Sequence, residues 1–438
     1  MCGILISKQN KFAKVSNPLA HRGVVLNELT VNPWHIQFNS LPLSSHKQPQ
    51  SGQPVIQGDY VLCFNGEIFN YDKLDPEASS DVHYLSNLLA DQNIYKLYVE
   101  SSKWDGFWAI AIVEVSTGDL YWFTDWLGKK QLYHRFGQGI CSEIKPLVDP
   151  KMATMPYVET MFRTTLTGFY NVYRSLPGRL YKNHAEIANC FGLNHKNLSL
   201  YELIHQSVVE RVKENRLESG LSVLLSGGLD SNIIMHHLSR IMDPEKIDVV
   251  SYISEESEQV EKCANYHGVR NINWVDPFHT MNEYEQAVKA YELSLDYGSL
   301  MPNYLLFKNC KSHIVLTGDG SDEFFGGYRR SLDHDTFRFD VFSELPFYHN
   351  VRLDRMSMIH TKEARSPLMS YKVLQYAMTL DWANRQNKNH LRSWYRGILP
   401  DWILDVKKTP LRVSEGKNAA MELCKSIHNQ IFKHESHI

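Results

Sequence analysis

No stretch constrains this chain more than Ser226-Gly227-Gly228-Leu229-Asp230-Ser231. Before it, Leu221-Ser222-Val223-Leu224-Leu225 is short and mostly apolar, which predicts a buried strand. After it, from Asn232 to Met242, Ile234, Leu238 and Ile241 recur at i, i+4 and i+7, which predicts a helix. The six residues are therefore a turn from a strand's end into a helix's start. Two glycines let backbone approach a ligand closely. The free N–H groups of a helix's first turn, with its dipole, favour an anion, and Ser226 and Ser231 add hydroxyls. Asp230 would repel a bare phosphate but suits one that arrives with Mg²⁺. A glycine turn in an ordinary α/β unit uses the same residue types.

The stretch is not a Walker A loop, because no lysine follows the glycines. It resembles the pyrophosphatase loop of ATP-dependent adenylating enzymes. Elsewhere the second half alternates strands and helices. Ile247 to Ile253 predicts a strand, Glu258 to His267 a helix, and Ile314 to Thr317 another strand, with a helix over 200–217 leading in. The last strand ends in Gly318-Asp319-Gly320-Ser321-Asp322-Glu323. A parallel sheet binds ligands at its strands' carboxyl ends, where Asp230 and the Asp319/Asp322 loop could share a divalent ion. A solvated turn or a helix N-cap explains the second loop equally well.

At 438 residues the chain predicts two or three domains. A formal net charge of -3 indicates no nucleic-acid or membrane surface. The seven cysteines, at 2, 63, 141, 190, 263, 310 and 424, form no C-x-x-C pair and predict no disulfide framework, as in a reducing cytoplasm. The amino-terminal apolar run is too short for a signal peptide, and no stretch has the length of a membrane span.

Cys2 stands where removal of Met1 would give it both a thiol and a free α-amine. That amine titrates at about 7.7–8.0 and can act as the thiol's base. For Met-Cys-Gly alone, an incidental cysteine is the simpler reading. Further on, Tyr60 to Phe64 predicts a strand ending in Asn65-Gly66-Glu67-Ile68. The Asn65 amide and Gly66 N–H could hold an oxyanion, or form a simple Asn-Gly hairpin turn. Phe107 to Val115 and Leu120 to Phe123 predict a hairpin in a largely β half. Trp104, Trp108, Trp122 and Trp126 fit sheet packing, and adjacent His236 and His237 fit helix packing rather than metal binding.

Cys2-Gly3-Ile4, His21-Arg22-Gly23, Asn65-Gly66-Glu67-Ile68, Ser80-Asp81, Leu127 to Tyr133 and Ser142 to Lys145 occur in that order. The set resembles the class II glutamine amidotransferase domain of asparagine synthetases, an α+β N-terminal-nucleophile fold with αββα layers. Thr317 to Tyr328, Arg355-Met356-Ser357-Met358, Glu363 to Pro367 and Lys407-Lys408 resemble the same family's α/β parallel-sheet ATP-pyrophosphatase domain. The resemblance implies a glutaminase over 1–183, a linker over 184–198 and a synthetase domain over 199–438.

It further implies that Cys2 attacks glutamine's side-chain amide, Asn65 and Gly66 hold the oxyanion, Glu67 places the amide and Asp81 pairs with the α-ammonium. Leu225, Thr317 and Gly318 would frame the adenosine of ATP beside the Ser226, Gly227, Gly228 and Ser231 loop, with Tyr252 at a backbone contact. Asp230 and Asp322 would hold Mg²⁺, and Asp319 would assist at the reaction centre. Lys408 would stabilise charge on departing pyrophosphate, with Lys407 as its competitor. The implied activity is glutamine-dependent conversion of a carboxylate, most simply aspartate, into its amide by a cytoplasmic enzyme able to form a homodimer.

Three departures bear on this. Ser40-Leu41-Pro42-Leu43 stands where the family has an arginine for the glutamine α-carboxylate. A neutral hydroxyl grips more weakly than a guanidinium fork, so glutamine binds poorly, another cation substitutes, or the ammonia donor differs. Pro367-Leu368-Met369-Ser370 stands where the family reads Pro-Phe-Leu-Asp, and the chain ends soon after Lys408. Another carboxylate acceptor, or a regulatory protein with an impaired glutaminase, are the alternatives.

Overall fold

The computed structural model describes residues 2–8, 17–41, 52–91, 93–148, 164–189, 199–213, 220–293, 299–328 and 333–406. Two six-stranded antiparallel sheets make the first domain. One has strands 172–174, 133–135, 139–141, 3–8, 34–40 and 25–31 in spatial order; the other has 185–189, 179–182, 120–124, 106–114, 60–68 and 55–57. Period-two alternation stacks them. Ile4, Ile6, Ile36 and Phe38 meet Val61, Cys63, Ala109 and Ala111 between the sheets, while Leu62 and Phe64 face a core shared with Leu85 and Leu89 of helix Asp81–Ala90. All nine residues of Tyr60–Ile68 are buried as a result. The tryptophans are core residues: Trp122 stacks on Tyr181 at 5.2 Å and Trp104 meets Trp108 edge-on at 5.1 Å.

The second domain is built on a five-stranded parallel sheet of order 272–275, 247–252, 221–224, 314–316 and 363–365. Helix Leu200–Arg211 enters it through a capping box in which Ser199 and Glu202 bond each other's backbone N–H. The helix after the glycine turn is Leu229–Leu238, starting three residues before the expected Asn232. The apolar period begins late because Asp230 and Ser231 already occupy the first turn. The expected linker also shifts. Ala185–Asn189 is a strand paired with Arg179–Lys182, so 184–189 finishes the first domain's second sheet. Residues 190–198 lie outside the described residues.

A buried ion network joins the domains. Arg22 lies 2.9 Å from both Glu143 and Asp354, Lys130 lies 2.7 Å from Asp354, and Arg355 reaches Glu143 at 3.1 Å and Glu292 at 3.0 Å. No helix among the described residues is long and apolar enough to cross a membrane.

His236 and His237 are both buried. His237 Nε2 lies 2.6 Å from the Tyr395 hydroxyl, and His236 Nε2 lies 3.2 Å from that of Tyr201. Burial pushes their pKa values down to about 4 and about 3. The unfolded chain, with ordinary histidines near 6.5, therefore binds protons first. Stability is complete above about pH 6.5 and falls toward pH 4, by on the order of 2 kcal/mol per histidine. Urea midpoints should drop between pH 7 and pH 5, and His237→Gln should flatten that drop. A variant with the wild-type pH dependence would rule His237 out as a cause.

Candidate active site

The register Gly3↔Asn39 places the end of strand 34–40 beside Cys2, so Ser40 and Leu41 flank the thiol. The Leu41 N–H bonds the Cys2 sulfur. Burial dominates, however, and raises the thiol pKa above its ordinary value. The Cys2 nitrogen donates to Asn65 Oδ1 at 2.9 Å. Asn65 Nδ2 is buried and has no hydrogen-bond partner among the described residues, which leaves one amide donor free beside Cys2. Asn65-Gly66 is no hairpin turn. Both residues continue strand 60–68, Asn65 opposite Ala109 and Gly66 opposite Trp108. A Cβ at Gly66 would fall 2.1 Å from the Phe107 carbonyl oxygen, which explains the glycine.

Asp81 is buried, and its carboxylate accepts the N–H groups of Ile68 at 3.2 Å and Val82 at 2.8 Å. That ties it to the strand position next to Glu67. Glu67 meets a cation from the other domain, Arg365, at 4.0 Å. Ser40 is fully buried and its hydroxyl has no partner among the described residues. The structure thus collects Cys2, Asn65, Gly66, Glu67, Asp81 and Ser40 at one end of the sandwich. Replacing Asn65 by aspartate keeps the acceptor for the Cys2 nitrogen and removes the free donor. Glutamine hydrolysis by Asn65→Asp should fall about 10²–10³-fold in kcat, the usual effect of losing one oxyanion donor. An unchanged kcat for glutamate release would remove Asn65 from that role.

In the second domain the two acidic loops are neighbours because their strands pair, Val223 with Leu316. Gly318 permits the contact: its Cβ would sit 3.0 Å from that of Asp230 and 3.1 Å from the Ser231 nitrogen. Ser321 Oγ donates to Asp230 Oδ1 at 2.7 Å. Ser226 and Ser231 fold the loop itself, their hydroxyls 3.0 Å apart, with Ser226 Oγ accepting the Gly228 N–H at 3.2 Å. Gly227 is buried against Gln259. The Leu225 N–H bonds the Val250 carbonyl across strand ends; two residues on, the buried Tyr252 hydroxyl has no partner among the described residues and a pKa pushed up to about 12 by burial. Thr317 Oγ1 lies 2.8 Å from Ser366 Oγ. Burial raises the Asp319 carboxyl above its usual range, against a lowering bond from Thr317.

Sequence reasoning missed Lys388. Its ammonium lies 2.5 Å from Asp230 Oδ2 and 2.8 Å from Asp322 Oδ1. Nothing local marks a lysine between two short helices as a site residue. One cation touching both carboxylates means that they converge on a common point. This fits a hard divalent ion that takes one or two carboxylates and completes its shell with phosphate oxygens. Among the described residues no cluster of three or more His, Cys, Asp or Glu side chains is arranged to hold a metal without such help. Lys407 and Lys408 lie outside the described residues.

The departure at 370 has a structural explanation. The Ser370 side chain accepts the Val373 N–H at 3.2 Å and caps helix Tyr371–Met378, a task aspartate performs equally well. Met369 does reach the site: a Cβ at Gly320 would fall 2.0 Å from Met369 Cγ. Residues of both domains, among them Phe107, Lys129, Lys130, Arg211, Asp354 and Met369, line a small cavity.

Residues 1–197 match the family model of a glutamine amidotransferase domain, and residues 199–349 and 334–437 match that of asparagine synthase. A probable glutamine-hydrolyzing asparagine synthetase of Acanthamoeba polyphaga mimivirus is 25% identical over 399 residues, 79% of this chain and 70% of the relative. The glutamine-hydrolyzing asparagine synthetase of Cricetulus griseus is 23% identical over 425 residues, 85% and 73% of the two chains. A glutamine phosphoribosylpyrophosphate amidotransferase structure from B. subtilis covers 94% of this chain and 92% of its own at 9% identity and a TM-score of 0.29, too distant to carry an argument. An N-terminal-nucleophile amidotransferase joined to a parallel-sheet synthase domain defines a glutamine-dependent carbon–nitrogen ligase. The chain belongs to the asparagine synthase family.

Proposed function

We propose that the protein is a glutamine-dependent asparagine synthetase that turns aspartate, glutamine and ATP into asparagine, glutamate, AMP and pyrophosphate. The joining of a glutamine amidotransferase domain to an asparagine synthase domain in one chain carries this reading. A small cavity has lining residues near both sites: Phe107, which shares a buried cluster with Leu41, and Met369, which packs against Gly320. Residues 2–189 form the glutaminase unit and the chain from 199 the synthetase unit.

Glutamine's side-chain carbonyl is attacked by the Cys2 sulfur, with the α-amine taking the thiol proton. The Asn65 amide and Gly66 N–H receive the oxyanion, Glu67 places the amide and Asp81 holds the α-ammonium. Ammonia leaves, and water then breaks the thioester to give glutamate. At the other end a carboxylate oxygen of aspartate displaces pyrophosphate from the α-phosphorus of ATP. Ammonia then attacks the activated carbonyl and AMP departs. A dry internal path keeps the nitrogen unprotonated and nucleophilic.

Leu225, Tyr252, Thr317 and Gly318 frame the adenosine, and the Ser226–Ser231 turn takes the phosphates. Asp230 and Asp322 would hold Mg²⁺, which supplies charge neutralisation for the phosphate oxygens when bound. Asp319 stands by the reacting carboxylate, and Lys408, with Lys407 as competitor, answers the charge of leaving pyrophosphate. The described cysteines, 2, 63, 141, 263 and 310, are all unpaired, which suits a cytoplasmic setting.

The contact of Met369 with the Asp319 loop favours one second reading, a carboxylate acceptor other than aspartate. Screening carboxylic acids for pyrophosphate release decides between the two, with L-aspartate the expected substrate. ATP cleaved only to ADP, or no acid giving AMP, would sink both.

A further inference from the structure

Lys388 is not accounted for by the sequence motifs or by the reaction just described. It is 5% exposed, and its ammonium bridges the two carboxylates that would otherwise bind a metal. The bridge is built into the fold. Asn387 and Lys388 both adopt left-handed backbone, φ 57° and 59°, a conformation unfavourable for residues with side chains. Asn387 is held there by its N–H bond to the Gly326 carbonyl at 3.0 Å and by Arg392 Nε donating to its own carbonyl at 2.8 Å. Gly327 leaves the room: a Cβ there would lie 1.8 Å from Asp322 Oδ1 and 2.4 Å from Lys388 Cε. Ser321 fixes the remaining oxygen of Asp230.

We infer that Lys388 is a resident counter-ion that occupies the metal's place until the nucleotide arrives, so that the divalent ion enters only together with phosphate. The inference rests on the proposed reading of Asp230 and Asp322 as the Mg–nucleotide site. Two converging carboxylates repel each other without a cation, and the half-buried position of Asp230 and Asp322 leaves water only partly able to screen them. An ammonium and a divalent ion cannot share the site, because the metal needs the same oxygens at about 2.0–2.1 Å. Two carboxylates alone offer a bare metal too few ligands to expel a hydrogen-bonded lysine. A nucleotide changes the balance twice over. Its phosphates complete the metal's shell, and they accept the displaced ammonium, a compact point charge on a flexible stem.

The test is Mn²⁺ binding to the full-length, nucleotide-free protein, followed by electron paramagnetic resonance, in wild type, Lys388→Gln and Asp230→Asn. Wild type should show only weak uptake, and Lys388→Gln should bind one Mn²⁺ about tenfold or more tightly, because the competing cation is gone. Adding a non-hydrolysable ATP analogue should bring wild type to a protein-bound Mn²⁺ signal. A folded Lys388→Gln protein with wild-type Mn²⁺ affinity overturns the inference. So does nucleotide-free wild type that takes up one Mn²⁺ in the micromolar range and loses it in Asp230→Asn, a result that needs no lysine variant. Neither outcome depends on which acid is amidated, so failure here is distinct from failure of the proposed reaction.

Discussion

Cys2→Ala should abolish glutamine-dependent synthesis while leaving ammonium-dependent synthesis close to wild type. In the proposed reaction the thiol forms the covalent bond to glutamine's side chain. Its nitrogen is anchored on Asn65 and its sulfur is contacted by Leu41. Removing such a nucleophile costs on the order of 10⁴-fold or more in turnover. The acidic loops and Lys388 lie in the other domain and are untouched. Glutamate release and amide formation should be followed in parallel, with glutamine and then ammonium chloride as nitrogen source. Loss of both activities would mean that Cys2 is structural. Retention of glutamine use would mean that nitrogen is freed elsewhere. Ser40 makes the glutamine KM informative as well, because a buried neutral hydroxyl would grip an α-carboxylate more weakly than a guanidinium.

The second large effect is expected at Asp354. Burial alone would raise its carboxyl, but Arg22 and Lys130 outweigh burial and bring it down to about 2. Arg22 and Lys130 belong to the first domain and Asp354 to the second, and all three are nearly inaccessible. Asp354→Ala leaves two cations buried without their shared partner. Breaking a buried pair in this way costs about 3–5 kcal/mol. The loss falls on the interface, so denaturant unfolding should shift to lower concentration and separate into two transitions. A shift below about 1 kcal/mol would show that the pairs are solvated and contribute as surface bridges do. Glutamine hydrolysis measured below the first transition should survive better than coupled synthesis, because only the coupled reaction needs both domains held together.

Much of both sites is legible in the residues because the chemistry is local. A strand, two glycines and an acid in a helix's first turn are neighbours in the chain, so their joint role can be read before folding. The same holds for Asn65 to Glu67 and for Gly318 to Asp322. Where local pattern and packing compete, the reading slips. Asn-Gly is a common turn pair, yet Asn65 and Gly66 lie inside a strand because nine ladder positions pair with 106–114. The polar stretch after Asn183 has the composition of a linker, yet Ala185–Asn189 completes a sheet edge. Ser370 reads as a departure at a binding motif, yet its hydroxyl is a helix cap.

What sequence alone determined is the inventory of chemistry: a thiol at the second position, an amide donor, and two glycine-bearing acidic loops at the ends of parallel strands. Each depends on residues within a few positions of one another, where backbone geometry follows from residue type. What only the tertiary structure decided is which charges meet. Asp230 finds Lys388 across 158 residues, Asp354 finds Arg22 across 332, and Glu67 finds Arg365 from another domain. No spacing rule encodes such pairs, because they exist only once folding has brought distant charges together and burial has stripped water from them.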